Sequence, residues 1–154
     1  MKKSYILLLS LFCSVHIYAS PEKPLYAIVK DKSICIYTND VDTKPYNNQI
    51  YLYMGGIVSG QNYKSTYSKI YKNIKMPIDK NSCISIPSSY FNKAIPFDIS
   101  LDAEQSYARR ICVNQSSKKI ILTEVKDGYE CSNQPFDYSE KKTNFLDRLF
   151  EWFN

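Results

Sequence analysis

The chain has 154 residues, with 20 lysines and arginines against 15 aspartates and glutamates, one histidine, five cysteines and 14 tyrosines. This is the length of a single domain that is large enough to bury a core. Hydrophobic residues at 44% and charged residues at 23% are ordinary proportions for a globular protein. They exclude a disordered chain, a collagen-like fibre and a coiled coil.

The N-terminus has the pattern of a secretory signal peptide. Two lysines precede an apolar run over residues 5–12, which is too short to span a bilayer as a mature helix. Ala19 stands at a small-residue cleavage position, so we expect residues 1–19 to be removed and Ser20 to begin the mature protein. The alternative is an uncleaved N-terminal anchor.

Loss of the signal peptide narrows the chemistry of the mature chain. It removes two lysines and the single histidine, so the net charge falls from +5 to +3. Without histidine there is no Ser-His-Asp or Cys-His catalytic site, and the commonest zinc ligand is missing. A charge of +3 does not indicate a nucleic-acid partner.

The rest of the chain shows the pattern of an all-β domain. Short runs of β-branched and aromatic residues alternate with polar or Pro/Gly breaks, which is typical of antiparallel sheets. We predict a small antiparallel β-sandwich, immunoglobulin-like, over residues 20–131. Its eight strands are predicted over residues 25–30, 33–38, 49–54, 68–76, 82–86, 94–101, 107–114 and 119–125.

The strand over residues 94–101 has the clearest alternation. Its apolar side chains fall on one face, whereas Asp98 and the following Asp102 fall on the other and are interpreted as surface charges. Tight turns are predicted at Asp31 and Lys32 and over residues 114–117. The glycines of residues 55–60 lack the lysine and helix of a phosphate loop, so a strand end and a loop are expected there.

Three tyrosines are the candidates for partner binding. Tyr63, Tyr67 and Tyr71 follow one another at a spacing of four, which suggests a helix, but the residues around them also alternate with the period of a strand. Tyrosine is enriched at recognition surfaces. The alternative is that these rings cover the domain's own core. The loop over residues 40–45 is a second, weaker candidate.

The mature chain keeps an even number of cysteines, which in an exported protein indicates two disulfides. Three connectivities are possible, and we expect Cys35 to pair with Cys83 and Cys112 with Cys131. A metal site is disfavoured because no two cysteines form a CxxC pair. A catalytic thiol lacks a partner base. No cofactor is expected.

After Cys131 the chain changes character. Residues 132–154 are predicted to form a polar linker followed by a short amphipathic helix. Three roles compete for this helix: docking on the domain, which we favour, weak contact with a membrane surface, and binding a partner. Its apolar face would contain Phe145, Leu146, Leu149, Phe150 and Phe153.

Several segments between residues 25 and 125 carry a family resemblance. They read YAIVKDKSICIYTND, QIYLY, MPIDKNSCISIP, PFDISLD and SYARRICVNQ in chain order. Together they resemble the type VI secretion immunity proteins of the periplasm, a family of small exported bacterial proteins. Cys35 and Cys83 match two cysteine positions of that family. Its members usually carry a lipid anchor, whereas Ser10 and Phe12 depart from the lipoprotein pattern before Cys13.

The resemblance implies a periplasmic binding protein whose partner is a cognate effector protein. It implies neither an enzyme nor a small-molecule substrate. One alternative is a structural or adhesive protein of the cell envelope. A less favoured one is a carboxylate-based envelope hydrolase, for which the candidate acids are Glu22, Asp98, Asp102, Glu104 and Glu124.

Overall fold

The computed structural model describes residues 22–116 and 119–140. The predicted signal peptide, residues 1–19, and the predicted C-terminal helix, whose apolar residues begin at Phe145, lie outside the described residues. Their assignments therefore stay predictions.

The described chain is all-β, as predicted. All eight predicted strands are present, and two strands that were not predicted, the two-residue β1 and the six-residue β10, stand before and after them. The strands are β1 Lys23–Pro24, β2 Tyr26–Lys30, β3 Ser33–Tyr37, β4 Gln49–Gly56, β5 Tyr67–Lys72, β6 Ile84–Pro87, β7 Phe97–Asp102, β8 Ser106–Gln115, β9 Ile120–Lys126 and β10 Glu130–Pro135. One turn of 3-10 helix, Ser88–Tyr90, follows β6.

The strands form two sheets. The large sheet has the order β10-β9-β8-β7-β4-β5 with antiparallel neighbours, and β1 joins it by a short parallel pairing with β8. The small sheet has the order β2-β3-β6 and is antiparallel throughout. As a result, β5 ends the large sheet on one side, and β6 ends the small sheet.

Strand β8 organises the large sheet because its two halves have different neighbours. Residues 106–111 pair with β7, and residues 112–115 pair with β9. Strand β1 contacts β8 at Tyr107 and Ala108. The chain therefore passes through β8 from the part of the sheet around β4 and β7 to the part around β9 and β10.

The core lies on one face of the large sheet because apolar residues occupy every second position of its central strands. Three side chains of β7 point to this face and are at most 2% exposed, as the alternation in the sequence predicted. The small sheet contributes alternate isoleucines to the same cluster. The main members are Ile34, Ile36, Ile50, Leu52, Met54, Ile86, Phe97, Ile99 and Leu101.

Both predicted disulfides are confirmed. Cys35 in β3 is bonded to Cys83, the residue before β6, with 5.5 Å between their Cα atoms. Cys112 in β8 is bonded to Cys131 in β10, also with a Cα separation of 5.5 Å. The Cys35–Cys83 bond ties β3 to the start of β6 in the small sheet. The Cys112–Cys131 bond ties β8 to β10, the strand at one end of the large sheet. Disulfides of this kind are typical of an oxidising, exported environment.

Two tight turns depend on backbone with positive φ. Asp31 and Lys32 have φ of 47° and 61° between β2 and β3, where the sequence predicted a turn. Asp127 and Gly128 have φ of 47° and 77° between β9 and β10. This second turn was not predicted, although Asp-Gly between two strand-like runs is one of the strongest hairpin signals.

Candidate functional site

A concave surface lies where the loop from β4 to β5 meets the turn from β9 to β10. It has a volume of about 360 Å³. We call it the tyrosine cleft, because three tyrosines that are 43–51% exposed stand around it. Its characteristic side chains are Tyr63, Lys64, Tyr90, Lys93, Arg110 and Tyr129.

Gly55 explains why Tyr63 can lie over the sheet. A Cβ atom at Gly55 would stand 2.5 Å from the carbonyl oxygen of Lys64 and 2.7 Å from the ring of Tyr63. Separations below 3 Å require one of the two groups to move. The absence of a side chain at Gly55 therefore lets the loop pack its backbone and a tyrosine ring directly on β4.

We expect Gly55→Ala to move the loop and to lower stability by about 1 kcal/mol or more, because the obstructing atom is backbone and cannot rotate away. Nuclear magnetic resonance should show large shifts for the Tyr63 ring and the Lys64 amide. Gly60→Ala is the comparison, since a Cβ there meets nothing within 4 Å. It should perturb only its own turn, where φ is +74°. Unchanged Tyr63 shifts in Gly55→Ala would contradict this account of the loop.

Arg110 holds the opposite wall of the cleft. It lies directly across from Asp98 in the register of β7 and β8. Its Nε and Nη2 donate to the two oxygens of Asp98 at 2.6 and 2.7 Å, and its Nη1 donates to the carbonyl oxygen of Gly128 at 2.8 Å. The ion pair with Asp98 raises the pKa of Arg110. The guanidinium thereby joins β7, β8 and the turn that presents Tyr129, whose ring centre is 5.9 Å away.

A second depression shares Tyr63 and Arg110 with the cleft and contains carboxylates. Glu22, Asp98 and Tyr53 line it together with Tyr63. Burial, and then the nearby charge of Asp98, raises the pKa of Tyr63. Because both oxygens of Asp98 accept hydrogen bonds from Arg110, this carboxylate is part of the framework of the sheet. The sequence interpretation of Asp98 as a surface charge did not include this ion pair, in which its side chain is 32% exposed.

The structure separates the three candidate tyrosines. Tyr63 is exposed in the loop, whereas Tyr67 and Tyr71 lie in β5 and pack against the core. Their hydroxyl oxygens are 3.2 Å apart, and burial raises the pKa of Tyr71. The strand period is therefore the correct interpretation of this segment, and the helical spacing was misleading. The pairing with β4 determines which face of the sheet the two rings occupy. Tyr67 is paired directly across from the buried Met54, so its side chain lies on the same face as that core residue.

The loop over residues 40–45 is tied to the body of the protein. Asp40 accepts hydrogen bonds from the Lys23 ammonium at 2.6 Å and from the Tyr107 hydroxyl at 2.8 Å. These bonds hold the pKa of Asp40 well below its usual range. The Thr43 hydroxyl lies 2.6 Å from the same phenol oxygen, and burial raises the pKa of Tyr107 to about 12. This loop is anchored at two points, and its exposed side chains are Val41, Asp42 and Lys44.

Residues 22–116 and 119–140 lack two further features. No group of three or more histidine, cysteine, aspartate or glutamate side chains that could hold a metal ion occurs within these ranges. No helix there is both long and apolar enough to cross a membrane.

The sequence signal for the tyrosine cleft was incomplete. Tyr63 was a candidate, but Tyr90, Arg110 and Tyr129 come from three distant parts of the chain and were not. The Asp-Gly pair before Tyr129 is the one local signal that could have placed this tyrosine on an exposed hairpin turn. Comparison of the chain with known protein families, curated proteins and solved structures finds no match.

Proposed function

We propose that the protein is a periplasmic immunity protein, which binds and neutralises a cognate antibacterial effector of a type VI secretion system. The observation that carries the proposal is the tyrosine cleft, an aromatic concave surface on a cross-linked framework. Tyrosine and arginine dominate the energetics of protein interfaces. Binding the effector would block its active site or its insertion into the envelope.

The framework suits inhibition by tight binding. The Asp98–Arg110 ion pair, the Arg110 hydrogen bond to Gly128 and the close packing over Gly55 hold the walls of the cleft, and two disulfides cross-link the domain elsewhere. A surface that is already ordered loses less conformational entropy on association.

We further propose that the two sheets, whose buried faces share one core cluster, form a sandwich of the immunoglobulin-like type.

The decisive experiment for immunity is competition between strains. A strain that lacks this gene but keeps an active secretion apparatus and effector should be outcompeted by its parent, and expression of the mature protein in the periplasm should restore survival. Equal survival of the two strains would contradict immunity. A structural or adhesive role in the envelope would then be the next hypothesis.

Substitutions at the three candidate tyrosines should separate binding from stability. We expect Tyr63→Ala to weaken binding of the effector by about 2 kcal/mol while leaving thermal stability nearly unchanged, because the ring is 48% exposed. Tyr71→Ala should instead lower stability by about 2 kcal/mol, since it removes a ring that packs against the core. Calorimetry of binding and of unfolding measures both quantities. If Tyr63→Ala binds the effector as tightly as the parent, the cleft is not the contact surface.

A further inference from the structure

A second groove lies along the open edges of the two sheets. Strand β5 pairs only with β4, and β6 pairs only with β3, so that within the described residues each leaves one edge without a strand partner. Residues of both edges line a single groove with a volume of about 470 Å³. These residues are Thr66, Tyr67, Ser68, Lys69, Ser85, Pro87 and Tyr90.

This groove adjoins the tyrosine cleft. Thr66 and Tyr90 line both depressions. At the junction, the Tyr90 ring packs edge-on against Tyr67, with 4.7 Å between the ring centroids. One concave path therefore leads from Tyr129 past Tyr90 and along the edge of β5. We call this path the edge channel.

The edge channel is basic. Lys64 and Lys93 line its first part and Lys69 its second, and no aspartate or glutamate lines either depression. The sequence reinforces this bias, because residues 43–78 contain five lysines and no acidic residue. The Lys69 ammonium lies 4.7 Å from the centre of the Tyr71 ring, which holds it at the β5 edge.

The charge also limits what can occupy the edge. Lysines on an edge strand disfavour pairing with a second copy of the same strand, because like charges would meet. An acidic segment would meet opposite charges there. It would also find the unpaired backbone groups of β5, which are the means by which open sheet edges bind extended peptides.

We propose that the edge channel binds an extended, acidic segment of the partner protein, which adds to β5 as a further strand and places its preceding residues among the cleft tyrosines. This inference rests on the proposed function, because the partner is taken to be the effector. It adds the chemistry of the segment through which the effector makes contact. Alternate side chains of the added strand would point towards Lys69 and the groove between β5 and β6. Lys64 and Lys93 would pair with acidic residues that lie in the cleft.

The experiment is selection from a displayed library of random short peptides against the purified mature protein. We expect the selected peptides to be rich in aspartate and glutamate and free of proline. Hydrogen exchange should slow at β5 amides when such a peptide is bound, because strand addition buries them. Lys69→Glu/Lys93→Glu should weaken binding of the selected peptides by about tenfold or more. The matched control Lys30→Glu/Lys126→Glu, with two exposed lysines outside the edge channel, should bind like the parent.

Other results would overturn the proposal. The selection could yield no binder, or it could yield peptides that lack acidic residues. The two lysine variants could lose binding equally. The slowed hydrogen exchange could be confined to strands other than β5. The outcome is separate from that of the competition experiment. If acidic peptides add to β5 but the deletion strain survives as well as its parent, the edge channel stands and immunity does not.

Discussion

Replacement of both Cys35 and Cys83 by serine should lower the free energy of unfolding by about 4 kcal/mol. The disulfide closes a loop between residues that are 48 positions apart, and its loss returns that conformational freedom to the unfolded chain. It also releases β6, whose only strand partner in the described chain is β3. Urea denaturation of the purified protein, followed by fluorescence of its tyrosines, measures the loss.

The other cysteine pair provides the comparison. Cys112→Ser/Cys131→Ser should cost about 3 kcal/mol, because the closed loop spans only 19 positions. The sheet pairings of β9 with both β8 and β10 remain available to that variant. If the Cys112→Ser/Cys131→Ser variant loses more free energy of unfolding than the Cys35→Ser/Cys83→Ser variant, loop length does not determine which disulfide stabilises the protein more.

Replacement of Asp40 by asparagine should destabilise the protein by about 2 kcal/mol at neutral pH, because it removes a charged acceptor from Lys23 and Tyr107. The side chain of Asp40 is only 15% exposed, so water compensates little for the lost bonds. Chemical denaturation measures the difference. Asp42→Asn, an exposed neighbour in the same loop, is the matched control and should leave stability nearly unchanged.

The same substitution should change the response to acid. The pKa of Asp40 is lowered in the folded protein from its ordinary value of 3.8. The carboxylate therefore contributes stability that is fully present at pH values well above 3.8 and is lost as the pH falls through that value towards the lowered one. Below that range the parent and Asp40→Asn should converge in stability. A difference that persists undiminished at the lowest pH would contradict the assignment of the stabilisation to the charged form.

The strands were predictable because their pattern is local. In β7 the alternation of Phe97, Ile99 and Leu101 with polar residues was sufficient to identify the strand and its buried face. In β5 it was not, because Tyr67 and Tyr71 satisfy a helical period as well as a strand period. The pairing with β4 decided between them, and a pairing between distant segments cannot be read from the segment alone.

The cleft was less predictable because it depends on contacts between distant residues. Tyr63 is placed by the missing side chain of Gly55, which belongs to another strand. Tyr129 is placed by the hydrogen bond from Arg110 to the Gly128 carbonyl oxygen. Each tyrosine alone is one of 14 in the chain. Contacts between distant strands, and not the number of tyrosines, determine which tyrosines come together in the cleft.

The same limit explains the missed strands. Strand β1 has two residues, one of them proline, and it exists because β8 offers it a pairing position. Strand β10 is polar, with the sequence ECSNQP, and carries no hydrophobic alternation. It is held by its pairing with β9, by the Cys112–Cys131 bond and by its turn. Neither strand has a sequence period that identifies it.

The two disulfides have a consequence for how the protein can mature. The four cysteines of the described chain are bonded in two consecutive pairs, Cys35 with Cys83 and then Cys112 with Cys131. On the export route that the proposed function requires, a chain that crosses the membrane with its N-terminus first delivers Cys83 to Cys35 before Cys112 or Cys131 emerges. The second pair then appears when the first is already closed. An oxidase that joins thiols in their order of arrival makes the native bonds directly, and no isomerase is needed to rearrange them.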